Sequence, residues 1–261
     1  MSNAIYNTIG KGYNNTRRAD PYIAGRMLAL LQPSPNGRYL DVGCGTANYT
    51  HYMAQAGFTF YGIDPSDTML DIAHIKEIGG TFTKATAESI PFDDAFFDGA
   101  SAMLTLHHWP DKLKGIQELY RVLKPGSKIV FFSFTEAQME GYWLAHYFPE
   151  MVKRSGEMIP TETEMIDLLN EAGFSSVQTE KYFVQPDLQD HFLYAHKYRP
   201  EQYLDEDVRK GTSGFVLCCP PQEIERGIKA LKNDIQSGHI QYIISKYENA
   251  NGDYLFYHAV K

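Results

Sequence analysis

A doubly wound α/β fold, with a mostly parallel sheet covered by helices on both faces, follows from three features of this 261-residue sequence. Short apolar runs of strand character alternate with helical segments between residues 38 and 134. The first run, Arg38–Val42, ends in the glycine-paired turn Gly43-Cys44-Gly45 and leads into a helical pattern from Asn48. The second, Thr59–Ile63, ends in Asp64, about twenty residues beyond that turn. Glycines permit dihedrals closed to other residues, so a ligand can lie directly on the backbone at a strand's carboxyl end, beside a helix N-terminus.

Each element can be justified in order. Residues 5–35 read as helical, with Ile23, Met27, Leu30 and Leu31 at helical spacing and Pro33 and Pro35 closing the segment. Strand-like runs follow at Arg38–Val42, Thr59–Ile63, Gly80–Thr83, Phe97–Met103 and Lys128–Phe134. Helical or loop segments separate them at Tyr49–Ala56, Asp67–Ile78, Ala87–Phe92 and Leu113–Leu123, the last closed by Lys124-Pro125-Gly126. These lengths suit right-handed crossovers. Beyond Phe134 the pattern changes. Gln138–Phe148 reads as one aromatic-rich helix, Glu162–Ala172 as a helix ended by Gly173, and Ser176–Gln185 as a strand. Residues 186–238 read as mostly helical, and His239–Tyr247 as a strand paired with Tyr254–Val260 in a hairpin across Asn249–Asp253. The organisation expected is an N-terminal helical cap (1–36), a ligand-binding core (37–185), an inserted helical substrate lobe (186–238) and a C-terminal hairpin (239–261).

Composition narrows the function. Hydrophobic residues at 43% and charged residues at 21% are ordinary for a globular protein. No apolar run approaches the roughly 20 residues a membrane helix needs, and no signal-peptide pattern opens the chain, so a cytoplasmic location without membrane partners is expected. Cys44 and the pair Cys218-Cys219 make neither a disulfide framework nor a four-ligand site, so no metal is expected. A net charge of −8 disfavours nucleic acid as the main partner. Asp64 either receives the hydroxyls of a ribose or caps the helix that begins at Asp67.

Further motifs choose between ligands. Asp41-Val42-Gly43-Cys44-Gly45-Thr46 and then Gly62-Ile63-Asp64-Pro65-Ser66 resemble the first two motifs of class I S-adenosylmethionine-dependent methyltransferases. The run Ala87–Asp98 is similar to their third motif, Ser101–Trp109 to the fourth, and Leu119–Gly126 to the fifth. The likeness is to the type 11, ubiquinone/menaquinone C-methyltransferase branch. It implies a Rossmann-like, seven-stranded sheet, mostly parallel, with an antiparallel C-terminal strand and a helical substrate lobe. It also implies S-adenosylmethionine as cofactor, S-adenosylhomocysteine as product, and a monomer or homodimer acting on a small, partly apolar methyl acceptor.

The resemblance assigns roles. The backbone at Gly43, Cys44 and Gly45 passes the cofactor's amino-acid moiety, and Asp41 faces its ammonium. Asp64, followed by Pro65, binds the ribose. Ile63 and Met69 flank the base, Thr86 and Ala87 meet its edge, and Met103 meets the methionine end. Tyr13 and Arg17 belong to an N-terminal cap, with the arginine directed at the cofactor carboxylate. Two positions depart from the pattern: Ala47 stands where a third glycine is usual, and Thr86 where an acid or amide is usual.

His107 and His108 sit beyond the fourth strand, where a histidine titrating near neutrality could take a proton from the methyl acceptor, or could simply end the strand beside Trp109. Trp143, His146 and Tyr147, together with Tyr142, Phe192–Tyr198 and Phe215, form either the acceptor pocket or a plain aromatic core. Cys218 and Cys219 read as buried thiols. A nicotinamide dehydrogenase shares the glycine turn and the acid, but its G-x-G-x-x-G fingerprint is replaced by Gly43-Cys44-Gly45-Thr46-Ala47-Asn48. A non-catalytic cofactor-binding module is the other alternative.

Overall fold

The computed structural model describes residues 16–261. Seven strands form one sheet: β1 (Arg38–Val42), β2 (Thr59–Asp64), β3 (Phe82–Lys84), β4 (Phe97–Met103), β5 (Leu123–Ser133), β6 (Ser175–Tyr182) and β7 (Tyr254–Val260). Their order is β3-β2-β1-β4-β5-β7-β6. All neighbouring pairs among β1 to β5 are parallel, and β7 runs antiparallel to both β5 and β6. The sheet is therefore mostly parallel with an antiparallel last strand. Its order reverses between β1 and β4, which opens a crevice at their carboxyl ends.

The two-residue period of the strands feeds two cores. Tyr39, Val130 and Phe132 face one side, with the helix Pro21–Leu31; Leu40, Val42, Ile129 and Phe131 face the other, with Lys112–Val122 and Glu162–Glu171. Local chemistry sets the helix starts. The Asp20 carboxylate accepts from the Tyr22 and Ile23 amides ahead of Pro21–Leu31, and Thr161 with Glu164 forms a capping box for Glu162–Glu171.

The second half departs from the sequence pattern in two places. His239–Tyr247 is not a strand: Ile240–Lys246 is a helix that starts directly after Gly238, whose φ of +78° closes the preceding helix Pro221–Ser237. The β-branched isoleucines suggest a strand, but Ile240 and Ile243 are buried at helical spacing and Ile244 packs beside them. There is thus no C-terminal hairpin; β7 draws its partners from β5 and β6. Gln138–Phe148 is likewise two short helices, Glu136–Glu140 and Leu144–Tyr147, parted at Gly141. Residues 186–199 contain no helix, and the long helix of the lobe is Pro221–Ser237.

The lobe also begins earlier than expected. Trp143 packs its ring edge-on against Tyr203, and Phe148 edge-on against Phe215, so residues before β6 and after it share one aromatic cluster. Among the described residues, no helix is long and apolar enough to cross a membrane.

Candidate active site

Everything expected to touch the cofactor within the described residues gathers at the crevice between β1 and β4. The turn after β1 is built by positive φ at Gly43 (+71°), Gly45 (+55°) and Ala47 (+60°). A Cβ on Gly43 would lie 2.1 Å from Thr105 Oγ1, so only glycine fits there. Ala47 occupies the left-handed position without glycine's freedom, and it provides no side-chain cap to the helix Asn48–Gln55.

The turn spends its own donors. The Gly43 and Cys44 amides both donate to Ile63 O, at 2.8 and 3.0 Å, and the Gly45 amide donates to Asp64 Oδ2 at 3.0 Å. Asp64 Oδ1 accepts from the Ser66 amide at 2.9 Å. Asp64 thus holds the turn and steadies Ser66, whose Oγ caps the next helix by accepting from the Met69 amide, yet each Asp64 carboxylate oxygen keeps a lone pair for a ligand hydroxyl. Burial raises its pKa from the ordinary carboxylate value.

A cleft of about 870 Å³ runs along these strand ends. Asp64, Pro65, Met69, Thr86 and Ala87 line one part of it, with the buried Ile63. Gly43, Gly45, Met103 and His108 line the other. A smaller extension is lined by Arg17, Asp41, Cys44, Asn48 and Asp190. Tyr13 lies outside the described residues. Sequence reasoning missed Glu88 and Thr105, which also line the large cleft; they lie inside the third and fourth motifs, but beside the positions to which the resemblance gives a ligand role.

Asp41 is 2% exposed and accepts from Thr50 Oγ1 at 2.6 Å and Ser101 Oγ at 3.2 Å. Burial dominates those two hydroxyls, and the carboxyl is pushed up to about 6. Arg17 reaches Asp190 through two bonds, Nε to Oδ1 at 2.5 Å and Nη2 to Oδ2 at 3.1 Å. Asp190 also accepts from the Tyr49 hydroxyl. Asp190 lies 173 residues from Arg17, and no sequence pattern links them. Lys76 pins the turn from behind, donating to Thr46 O and Asn48 Oδ1 at 2.6 Å each.

This end of the cleft offers two carboxylates and an arginine, with no free amide among Gly43, Cys44 and Gly45. Two carboxylates and a guanidinium match the ammonium and carboxylate of a zwitterionic amino acid. The open space beside Gly45, where a Cβ would meet nothing within 4 Å, leaves the backbone accessible to it.

A second cleft, of about 720 Å³, lies between the ends of β4 and β5 and the lobe. His107, Phe134, Ser155, Phe192 and Leu193 are among its walls. Arg17 and Leu104 line both large clefts, and Leu104 itself has φ +49°. The histidines divide between them: His107 faces the second cleft and His108 the first, their rings 3.8 Å apart. Burial keeps both neutral, His107 well below the usual imidazole value and His108 lowered to about 4. Neither titrates near neutrality.

The aromatic residues expected at the methyl acceptor are elsewhere. Trp143 is wholly buried, its Nε1 donating to Lys197 O; Tyr147 donates to Asp234 Oδ2; His146 is exposed. Trp143 and Tyr147 pack into the lobe's aromatic cluster rather than line a cleft, and His146 turns to solvent. Of the wider set, Phe192 and Leu193 line the second cleft. Among the described residues, no three His, Cys, Asp or Glu side chains are placed to hold a metal ion.

A switch-point cleft with a buried acid at the end of β2 and two carboxylates beside an arginine at its far end is the arrangement expected of an S-adenosylmethionine-dependent transferase. Known proteins agree. A family model described as a methyltransferase domain matches residues 40–131. The demethylmenaquinone methyltransferase of Anoxybacillus flavithermus is 31% identical over 170 residues, covering 55% of this chain and 72% of that protein. An uncharacterized methyltransferase of Synechocystis is 32% identical over 164 residues, covering 59% and 74%. Among solved structures, a protein of Anabaena variabilis described as a methyltransferase from an antibiotic biosynthesis pathway superposes with a TM-score of 0.85 at 28% identity, over 94% of this chain and 99% of that one. The chain belongs to the class I S-adenosylmethionine-dependent methyltransferases, in their ubiquinone/menaquinone-type branch.

Proposed function

We propose that this methyltransferase acts on a small, partly apolar methyl acceptor held in the second cleft, and that Arg17 and Leu104 mark the junction where transfer occurs. The observation that carries this reading is that those two residues line both clefts. S-adenosylmethionine supplies a methyl group already activated on a sulfonium, so the protein's task is alignment and exclusion of water. Asp64 would hold the ribose, Ile63 and Met69 would flank the base, and Thr86 and Ala87 would meet its edge. Asp41 would answer the ammonium. Arg17 would share its charge between Asp190 and the carboxylate.

Leu104 keeps its left-handed backbone because its amide donates to Phe132 O at 2.8 Å, tying the end of β4 to β5. His107 and His108, both held neutral, would serve as hydrogen-bonding groups; a base whose conjugate acid lies near 4 removes protons poorly at neutral pH. The demethylmenaquinone methyltransferases among the relatives support an aromatic methyl acceptor.

Calorimetry with S-adenosylmethionine, S-adenosylhomocysteine and NAD tests the cofactor assignment. Both sulfur ligands are expected to bind and NAD is not; binding of NAD alone overturns it. Methyl transfer from labelled cofactor to a panel of ring compounds then tests the acceptor cleft, and tight S-adenosylhomocysteine binding with no transfer to any of them counts against it.

A further inference from the structure

Lys76 stands where a cation is unfavourable. It follows the helix Asp67–Ala73, and its ammonium reaches the N-terminal end of the helix Asn48–Gln55, where the helix dipole is positive. The side chain is half-buried, and burial lowers its pKa to about 8. A residue held against both costs is expected where its position serves a site. What it gains is two bonds of 2.6 Å each, to Thr46 O and to Asn48 Oδ1.

The second bond decides how Asn48 faces. An ammonium only donates, so the Asn48 carbonyl must turn to Lys76 and its NH2 group away. That NH2 group donates to Arg17 O at 2.9 Å. A chain of bonds thus runs from Lys76 through Asn48 to the backbone of Arg17, which lines both clefts and the extension. The first bond holds the carbonyl of Thr46, which is 1% exposed and follows Gly45 in the turn. Lys76 is not among the described residues that line either cleft or the extension, so it acts through its neighbours. Its own place is fixed by packing: Ile78 joins Ala47 and Leu70 in a small apolar cluster, and His51 Nδ1 lies 3.3 Å from Glu77 O.

We infer that Lys76 is a positioning residue for the cofactor's amino-acid end: through Asn48 it ties the backbone of Arg17 to the glycine turn. The inference rests on the cofactor placement proposed above, in which Arg17 answers the carboxylate. A methionine at position 76 fills much the same space but donates nothing, so the Asn48 amide can reverse and the Arg17 backbone loses its tie. The turn keeps its own bonds, from the Gly43 and Cys44 amides to Ile63 O and from the Gly45 amide to Asp64. The ribose and base ends should therefore not feel the change.

The test is titration calorimetry on the full chain at pH 7.0 with two probes. One is S-adenosylhomocysteine; the other is 5′-methylthioadenosine, which shares its nucleoside and sulfur but has no amino-acid group. Lys76→Met should weaken S-adenosylhomocysteine about three- to tenfold, the effect of one lost hydrogen bond, and leave 5′-methylthioadenosine unchanged. Lys76→Arg still donates to both oxygens and should restore most of the affinity. On an Asn48→Ala background, Lys76→Met should add less than about twofold, because the chain of bonds is already cut.

Equal weakening of both probes by Lys76→Met overturns the inference, since it would show that the lysine merely supports the turn. So does an unchanged affinity for S-adenosylhomocysteine, or an undiminished effect on the Asn48→Ala background. A parent chain that binds 5′-methylthioadenosine as tightly as S-adenosylhomocysteine removes the placement of the amino-acid end, and this inference with it. A parent that prefers S-adenosylhomocysteine, with a Lys76→Met variant that keeps the whole preference, removes this inference alone.

Discussion

Asp41→Asn should make the protein more stable and worse at its task. Asp41 is a buried carboxyl whose hydrogen-bond donors among the described residues are two hydroxyls, and burial lifts it from 3.8 to about 6. Between roughly pH 4 and 6 the folded chain therefore holds a proton that the unfolded chain has lost. Stability from this group is present at low pH and falls as pH rises through about 6. At about 1.4 kcal/mol per decade, the cost above that window is about 3 kcal/mol. An asparagine keeps the shape, accepts from Thr50 and never charges; Ser101 needs only to turn its hydroxyl to receive the amide. At pH 7.5 the variant should melt roughly 6 °C higher, taking about 2 °C per kcal/mol for a chain of this size. At pH 5.0 the gap should narrow to about half, because the folded parent keeps most of its proton while the unfolded chain has already lost its own, and it closes only below about pH 4.

On the proposed cofactor pose the same change would remove the charge answering the ammonium, so S-adenosylhomocysteine affinity at pH 7.5 should fall about tenfold or more. In the parent that affinity should decline as pH drops below about 6. Thermal melts at both pH values, with titration calorimetry, provide the check. A variant that melts below the parent at pH 7.5, or a gap no smaller at pH 5.0 than at pH 7.5, would refute the reasoning.

Other perturbations follow from the same geometry. Asp64→Ala removes the acid that holds Gly45 and faces the ribose, so S-adenosylhomocysteine binding by calorimetry should weaken about ten- to a hundredfold; unchanged affinity would show the ribose lies elsewhere. Gly43→Ala forces a Cβ to 2.1 Å from Thr105 Oγ1 at φ +71°, and cofactor binding should be lost even where the chain still folds by circular dichroism. Ala47→Gly relieves a left-handed alanine and should stabilise by about 0.5–1 kcal/mol in urea unfolding. Arg17→Ala strands the 1%-exposed Asp190 side chain and should cost about 3–5 kcal/mol, whereas Arg17→Ala with Asp190→Asn should recover much of it. A double variant no better than the single would show that the pair is not the unit at stake.

What could be read from the sequence tracks how local each requirement is. Gly43 and Gly45 announce a turn because the chain must adopt positive φ there, and Asp64 announces itself by ending β2 beside it. The isoleucines at 240, 243 and 244 misled, because β-branched residues next to a turn-rich stretch look like a strand until burial shows their helical face. Trp143 and Tyr147 misled for a similar reason: an aromatic at helical spacing does not declare whether it faces a cavity or a core. His107 and His108 were visible as residues but not as neutral groups, since only burial decides their proton.

The sequence by itself therefore determined the parallel sheet, the cofactor crevice and the class of methyl donor, because those depend on backbone geometry and motif order within short stretches. The tertiary structure alone decided how the lobe shapes a second cleft beside the strand ends. Arg17 meets Asp190 across 173 residues, and Ser155 comes to the same cleft as His107. Such meetings are set by how the lobe packs onto the strand ends, where desolvation and unpaired hydrogen bonds arise, and no local spacing encodes them.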